Sequence, residues 1–380
     1  MIQINQKYDC VGCTACKAVC PKHCIEMRAD DEGFLYALAD SNKCIDCHLC
    51  EKVCPVINRT SPRQPRLTLA AKNPDSQVRL ASSSGGIFTL LAQQTLRRGG
   101  VVFGASYDKE WQVRHIAIDK EADIVLLQGS KYMQSLMGNS FSEAEAWLKD
   151  GREVLFSGTP RQIAGLKKYL RRDYPNLATV DIVCHGVPSP LIWSNYLRSI
   201  NPQQKPITQV NMRDKTTGWQ RYSITIGCDD GTTLISERAS HNTYMRGFLS
   251  GIFTRPSCFQ CPAKGGRGMS DITLGDFWGI GHVIKEMADS KGVGLVMAHS
   301  ERGVELLGEI DFTRHEALYT EALRYNPCIE RSSSEPALRS EFWAQYRQAG
   351  IQTIEKILPP KSKNPLRGII KLVKRIFKIE

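Results

Sequence analysis

Nowhere in these 380 residues does an apolar run approach the roughly 18 to 20 residues that a membrane-spanning helix needs. The opening segment, Met1-Ile2-Gln3-Ile4-Asn5-Gln6-Lys7, is polar and offers no apolar core for an export signal. The body of the chain also lacks a zinc finger, a helix-turn-helix pattern and an aromatic RNA-binding run. The net charge of +11 does not reopen the nucleic-acid question, because +6 of it falls in the last twenty residues. No nucleic-acid partner is expected. A disulfide framework is disfavoured too, since nothing marks the chain for an oxidising compartment, and the expected location is the cytoplasm.

Cysteine, by contrast, is abundant, with fourteen residues. Eight of them fall in two runs, Cys10-x2-Cys13-x2-Cys16-x3-Cys20-Pro21 and Cys44-x2-Cys47-x2-Cys50-x3-Cys54-Pro55. This is the established bacterial spacing for iron–sulfur ligation, in which the fourth Cys reaches the other cluster. A cubane needs thiolates converging from several directions, and three closely spaced Cys can wrap three of its irons. The spacing therefore assigns Cys10, Cys13, Cys16 and Cys54 to one [4Fe–4S] cluster. Cys20, Cys44, Cys47 and Cys50 go to a second. Zinc is the rival metal, but two complete four-Cys runs, each followed by Pro, favour iron. Cys24 lies outside the ligand spacing and reads as a small core or surface thiol.

Around these runs the chain divides into a two-cluster unit (1–56), a Pro-containing linker (57–66), a larger unit (67–345) and a tail. In the first unit, Asp30-Asp31-Glu32-Gly33 reads as the turn of a hairpin. The expected fold is mixed, α+β and α/β, with a bacterial-ferredoxin-like domain ahead of an α/β domain. Within the latter, Ser82-Ser83-Ser84-Gly85-Gly86 opens a helical pattern, a turn that suits a phosphate or serves as a plain helix cap. Ser130-Lys131-Tyr132-Met133-Gln134-Ser135 reads as the polar lining of a ring-shaped cofactor or as a surface loop. Two strand-to-turn-to-helix junctions follow, Ser157-Gly158-Thr159-Pro160-Arg161-Gln162 and Cys184-His185-Gly186-Val187-Pro188, at positions where α/β sheets bind ligands. Cys258-Phe259-Gln260-Cys261 is either a redox dithiol or half of a metal site. Cys228 and Cys328 read as structural.

Taken in order, these blocks, with Asp271-Ile272-Thr273-x-x-Asp276-Phe277-Trp278-Gly279 after them, resemble the coenzyme F420 hydrogenase/dehydrogenase β-subunit family over about residues 1 to 300. The likeness is closer to its bacterial branch associated with polysaccharide biosynthesis. The resemblance implies FAD and iron–sulfur clusters, a ferredoxin-like electron donor or acceptor, and a small-molecule or glycan-precursor substrate. On that reading Ser83, Ser84, Gly85, Gly86, Lys131, Gly158, Thr159 and Gly186 bind FAD. Lys131 and Arg161 are the cations beside flavin or substrate, and His185 is the proton donor. The resemblance also implies a third cluster at Cys184, Cys258 and Cys261, where Arg161 stands in the position of a fourth Cys. Two alternatives belong with it, a non-catalytic electron-transfer subunit of a larger complex and an F420-dependent oxidoreductase.

The tail, 359–380, carries Leu366, Ile369, Ile370, Val373, Ile376 and Phe377 at helical spacing among seven basic residues. It reads as a basic amphipathic helix, with 364–380 a peripheral contact on anionic lipid at the inner face of the cytoplasmic membrane.

Overall fold

The computed structural model describes residues 1–359. The tail helix expected over 364–380 lies outside the described residues. Each triple-Cys run leads into a short helix, Ala15–Val19 and Leu49–Lys52. Between them runs an antiparallel hairpin, β1 (Ile25–Ala29) and β2 (Leu35–Ala39). Its turn closes as the sequence indicates, with Asp30 accepting from the backbone of Glu32 and Phe34 and Gly33 at φ +81°.

The remaining strands are β3 (Leu67–Lys72), β4 (Val101–Tyr107), β5 (Val113–Ile118), β6 (Val154–Gly158), β7 (Leu177–Ile182), β8 (Ile207–Asp214), β9 (Ser223–Cys228), β10 (Thr233–Arg238), β11 (Ile272–Asp276), β12 (Gly294–Ala298) and β13 (Thr313–Glu316). Eight of them form one sheet in the order β13-β3-β12-β11-β7-β6-β4-β5. Its centre, β4, β6, β7 and β11, is parallel, and antiparallel strands extend it on both sides. Alternate residues of the central strands serve two cores. Val102, Leu155, Ala178 and Val180 face the helices Ile87–Arg97 and Glu301–Gly308. Val101, Phe103, Val154, Phe156 and Leu177 face the helices Ser140–Lys149 and Pro160–Leu170. A sheet covered on both faces needs apolar residues in both registers, which is why these strands read as unbroken apolar runs.

β8, β9 and β10 make a separate antiparallel sheet. It shares a third core with the helices Pro190–Ile200, Thr243–Ser250 and Arg339–Ala349. The two-cluster unit is fastened to this assembly. The buried Glu32 carboxylate pairs with Arg339, and the backbone carbonyl of Glu32 accepts from Ser189 Oγ at 2.5 Å. The linker is tied down as well: Arg63 N donates to Gly266 O at 2.8 Å and Thr60 Oγ1 to Arg267 O at 2.7 Å. Among the described residues no helix is long and apolar enough to cross a membrane.

Candidate functional site

The two Cys runs repeat in backbone as well as in sequence. Gly12 and Asp46, each two residues after the first Cys, have φ +68° and +52°, and Thr14 and His48, each four after, have +67° and +58°. Alternating left-handed residues curl a chain so that its N–H groups point into one hollow, the form of nest that holds anionic iron–sulfur sites. The sulfurs accept accordingly. Cys50 Sγ takes Ile2 N at 3.3 Å, and Cys44 Sγ takes Asp46 N at 3.4 Å.

Cys10, Cys13, Cys16 and Cys54 are buried together, and Cys13 and Cys16 each feel the charge of Cys10 and Cys54. Burial pushes the Cys13 thiol up to about 12. Left alone it would stay protonated, so the thiolate form there needs a bound cation, as iron provides. Cys20, Cys44, Cys47 and Cys50 line a second hollow. At Cys20 burial is outweighed by N–H donors from Cys24, Lys22 and His23, and the thiol's pKa falls. Cys24 lines this hollow too, its Sγ 3.4 Å from that of Cys20. Among the described residues no three His, Cys, Asp or Glu side chains suit a single metal ion. The ligands of a cubane bind separate corner irons and stand further apart, so this is silent on clusters. The donor set and its N–H nests fit the two cubanes.

A cavity of about 320 Å³ opens at the C-terminal ends of the parallel strands. Its size lies within the roughly 300 to 1,000 Å³ of small-molecule sites. Ser83, Ser84, Gly85, Gly86, Lys131, Gly158, Thr159 and Arg161 all line it. So do Val11 and Gly12 of the first-cluster loop. Gly86, at φ +80°, precedes the helix Ile87–Arg97 with no side chain capping it, and the first turn of that helix, Ile87 to Thr89, lines the cavity. Gly85 is required by space, because a Cβ there would lie 2.3 Å from Ala71 O and 2.5 Å from Gly294 N.

Polar groups fix the opposite wall. His115 Nε2 donates to Ser157 O at 3.0 Å, so Nδ1 accepts from Ser135 Oγ at 2.9 Å. Ser135 Oγ in turn accepts from Gln162 Nε2 at 2.8 Å, and Gln162 Oε1 takes Thr159 N at 2.8 Å. Burial holds the His115 pKa down at about 4, so the imidazole is neutral. Lys131 Nζ donates to Gln128 O at 2.9 Å, and enclosure pushes its pKa down to about 7. On the far side, Arg213 donates to Ser83 O at 3.1 Å and to the cavity-lining Asp276 at 2.9 Å.

His185 and Gly186 do not line this cavity. His185 packs edge-on against Phe248 at 5.6 Å, its Nε2 is buried without a partner, and burial pushes its pKa down. Gly186 lies beside Cys258. Cys184, Cys258 and Cys261 do converge, and the group they surround is Arg161, which is 4% exposed and raised in pKa by all three sulfurs, against the lowering effect of burial. One guanidinium nitrogen, NH1, is buried without a hydrogen-bond partner. A guanidinium does not give up its proton to ligate iron. These residues therefore do not fit a four-thiolate cluster.

Residues 68–141 match the family model for the N-terminal part of the coenzyme F420 hydrogenase/dehydrogenase beta subunit, and residues 151–321 match that for its C terminus. Residues 9–58 match a 4Fe-4S dicluster domain. The chain belongs to the coenzyme F420 hydrogenase/dehydrogenase β-subunit family. Among solved structures it is similar to a chain of the F420-reducing [NiFe] hydrogenase complex from Methanosarcina barkeri. That match has 17% identity and a TM-score of 0.47, and covers 70% of this chain and 91% of that one. No curated protein matches. As a member of this family with a dicluster domain, the chain is an iron–sulfur electron-transfer protein.

Several residues at or beside the cavity escaped the sequence reading. Neither His115 nor Arg213 sits in a recognisable motif; His115 lines the cavity from a strand of ordinary composition, and Arg213, from another, holds the lining residues Ser83 and Asp276 from behind. The buried Arg255, next to the first-cluster loop, gave no signal either.

Proposed function

We propose that this chain is an iron–sulfur flavoprotein oxidoreductase, exchanging single electrons with a ferredoxin-like carrier through two [4Fe–4S] clusters and acting on an organic substrate. FAD, bound in the cavity, would supply the two-electron, hydride-transferring chemistry. The observation that supports this most is the placement of Val11 and Gly12, between the ligands Cys10 and Cys13, in the wall of the 320 Å³ cavity. A cofactor held there would lie against the first-cluster loop. The second ligand set is the more open, with Cys47 exposed and Cys44 half-buried, and a cluster held there would be the accessible end that a protein carrier needs.

The chain's own groups divide the work. The Ser83–Gly86 turn and the open N-terminus of the following helix suit a pyrophosphate. Gly158 and Thr159, held by Gln162, form the facing edge. Lys131 is the cavity group that can hold or release a proton near neutral pH, and Arg161 adds positive charge at the inner end. With Arg161 in the fourth position, the reading is of two clusters rather than three. A glycan precursor is the substrate class suggested by the bacterial branch that the sequence resembles.

The test is anaerobic reduction. Protein purified without oxygen, then mixed with reduced ferredoxin, should show the flavin absorbance bleach stoichiometrically, and Cys47→Ser should slow that bleaching. Protein with intact clusters that neither retains nor takes up FAD would overturn the reading.

A further inference from the structure

Arg255 is a large cation with no solvent contact, 0% exposed. Its three donors all meet neutral acceptors. Nε donates to Cys10 O at 3.0 Å, NH1 to Gln134 Oε1 at 3.0 Å and NH2 to Leu35 O at 2.9 Å. The guanidinium lies over the Tyr36 ring at 4.3 Å. Among the described residues no carboxylate stands within ion-pair distance of it. Burying a charge is expensive unless an opposite charge answers it, and hydrogen bonds to carbonyls supply only part of that.

The same side chain joins three parts of the molecule. Cys10 belongs to the first-cluster loop, Leu35 to the hairpin and Gln134 to the cavity wall. The loop can lie this close because residue 12 is glycine: a Cβ there would sit 3.0 Å from Arg255 NH1 and 2.7 Å from Gln134 Nε2. A four-thiolate [4Fe–4S] cluster is a net anion and becomes more negative when it accepts an electron. Net charge and hydrogen bonding at the site are what set its potential.

We infer that Arg255 is the fixed counter-cation of the first cluster and holds its reduction potential up, so that the electron rests on the cluster against the cavity wall. The added electron stays on the iron core, and no proton or bond change is involved. This rests on the cluster ligands proposed above.

The test is an EPR-monitored redox titration of full-length, anaerobically purified protein, with iron and sulfide counted in the same samples. In Arg255→Gln the higher of the two cluster midpoints should fall by at least tenfold in its reduction equilibrium constant, about 59 mV for a one-electron couple. Arg255→Lys should retain most of the wild-type value. Gln134→Glu keeps the arginine and neutralises it in place, and should also lower that midpoint; it serves where the glutamine variant does not fold. Full iron content with both midpoints unmoved in Arg255→Gln or Gln134→Glu would overturn the inference. So would equal shifts in the glutamine and lysine variants, which would assign the effect to lost hydrogen bonds rather than lost charge. Wild-type protein without iron would instead remove the cluster reading itself.

Discussion

Lys131 offers the sharpest test of what the cavity is for. In the folded protein its pKa is pushed down from 10.5 to about 7 by enclosure, and among the described residues no acidic side chain offsets it. Such a group penalises the fold. Below pH 7 both states carry the proton, and the buried ammonium costs its full desolvation. Between pH 7 and 10.5 the unfolded chain binds more protons than the folded one, so stability rises with pH. Above 10.5 the penalty is gone. Each tenfold change in proton affinity carries about 1.4 kcal/mol, and the residue keeps some solvent contact, so a penalty of about 2–4 kcal/mol is expected at acidic pH. Lys131→Met in flavin-free protein should therefore be more stable than the parent at pH 6 by about that amount, with the advantage fading as pH rises through 7 to 10.5. Urea unfolding followed by tryptophan fluorescence at four or five pH values reads this directly. The same variant should bind FAD more weakly, because a positive charge is tolerated in a cavity for the sake of an anionic ligand. A Lys131→Met stability difference that is flat with pH, or of opposite sign, would refute the reasoning.

Other outcomes follow from separate contacts. Glu32 and Arg339 are 5% and 7% exposed and bind each other, so Arg339→Met leaves the buried carboxylate with Lys7 alone, at 3.5 Å, and should cost somewhat less in denaturant unfolding than the roughly 3–5 kcal/mol of a fully stranded charge. Adding Glu32→Gln to that variant should recover much of the loss; no recovery would deny the pairing. Gly85→Ala puts a methyl 2.3 Å from the β3 backbone, and should cost about 1–3 kcal/mol and abolish FAD retention. Normal flavin content in that variant would remove the turn from the binding site. Cys24→Ser should leave iron content unchanged, its sulfur lying beside the second ligand set rather than in it. Arg161→Cys supplies the thiolate missing from the Cys184, Cys258 and Cys261 set, and iron per chain should rise by about four, the content of one cubane. No rise would mean that those three thiols serve another purpose.

How much of this was readable in the chain depends on how far apart the partners lie. The dicluster domain was legible because its Cys spacing is local and repeats, and the backbone repeats with it in the left-handed residues at 12, 14, 46 and 48. The Ser83–Gly86 turn was legible as a helix start and Gly158–Thr159 as a strand-to-helix junction, and the structure does bring them to one cavity. His185 looked similar in sequence but leaves its strand in another direction, packing under Phe248. Cys24 looked like a bystander because the ligand pattern is complete without it; the turn through His23, at φ +49°, carries it back to Cys20. Arg255 was invisible for a plain reason. Its partner Cys10 is 245 residues away, and a lone arginine before a proline announces nothing until the chain is folded.

The metal and flavin content of protein prepared without oxygen is the most direct measurement. Two cubanes and one cavity-bound flavin give about eight iron, about eight sulfide and about one FAD per chain, with a reduced EPR signal from interacting [4Fe–4S] centres. Colourless protein carrying zinc in place of iron, with no flavin, would contradict it.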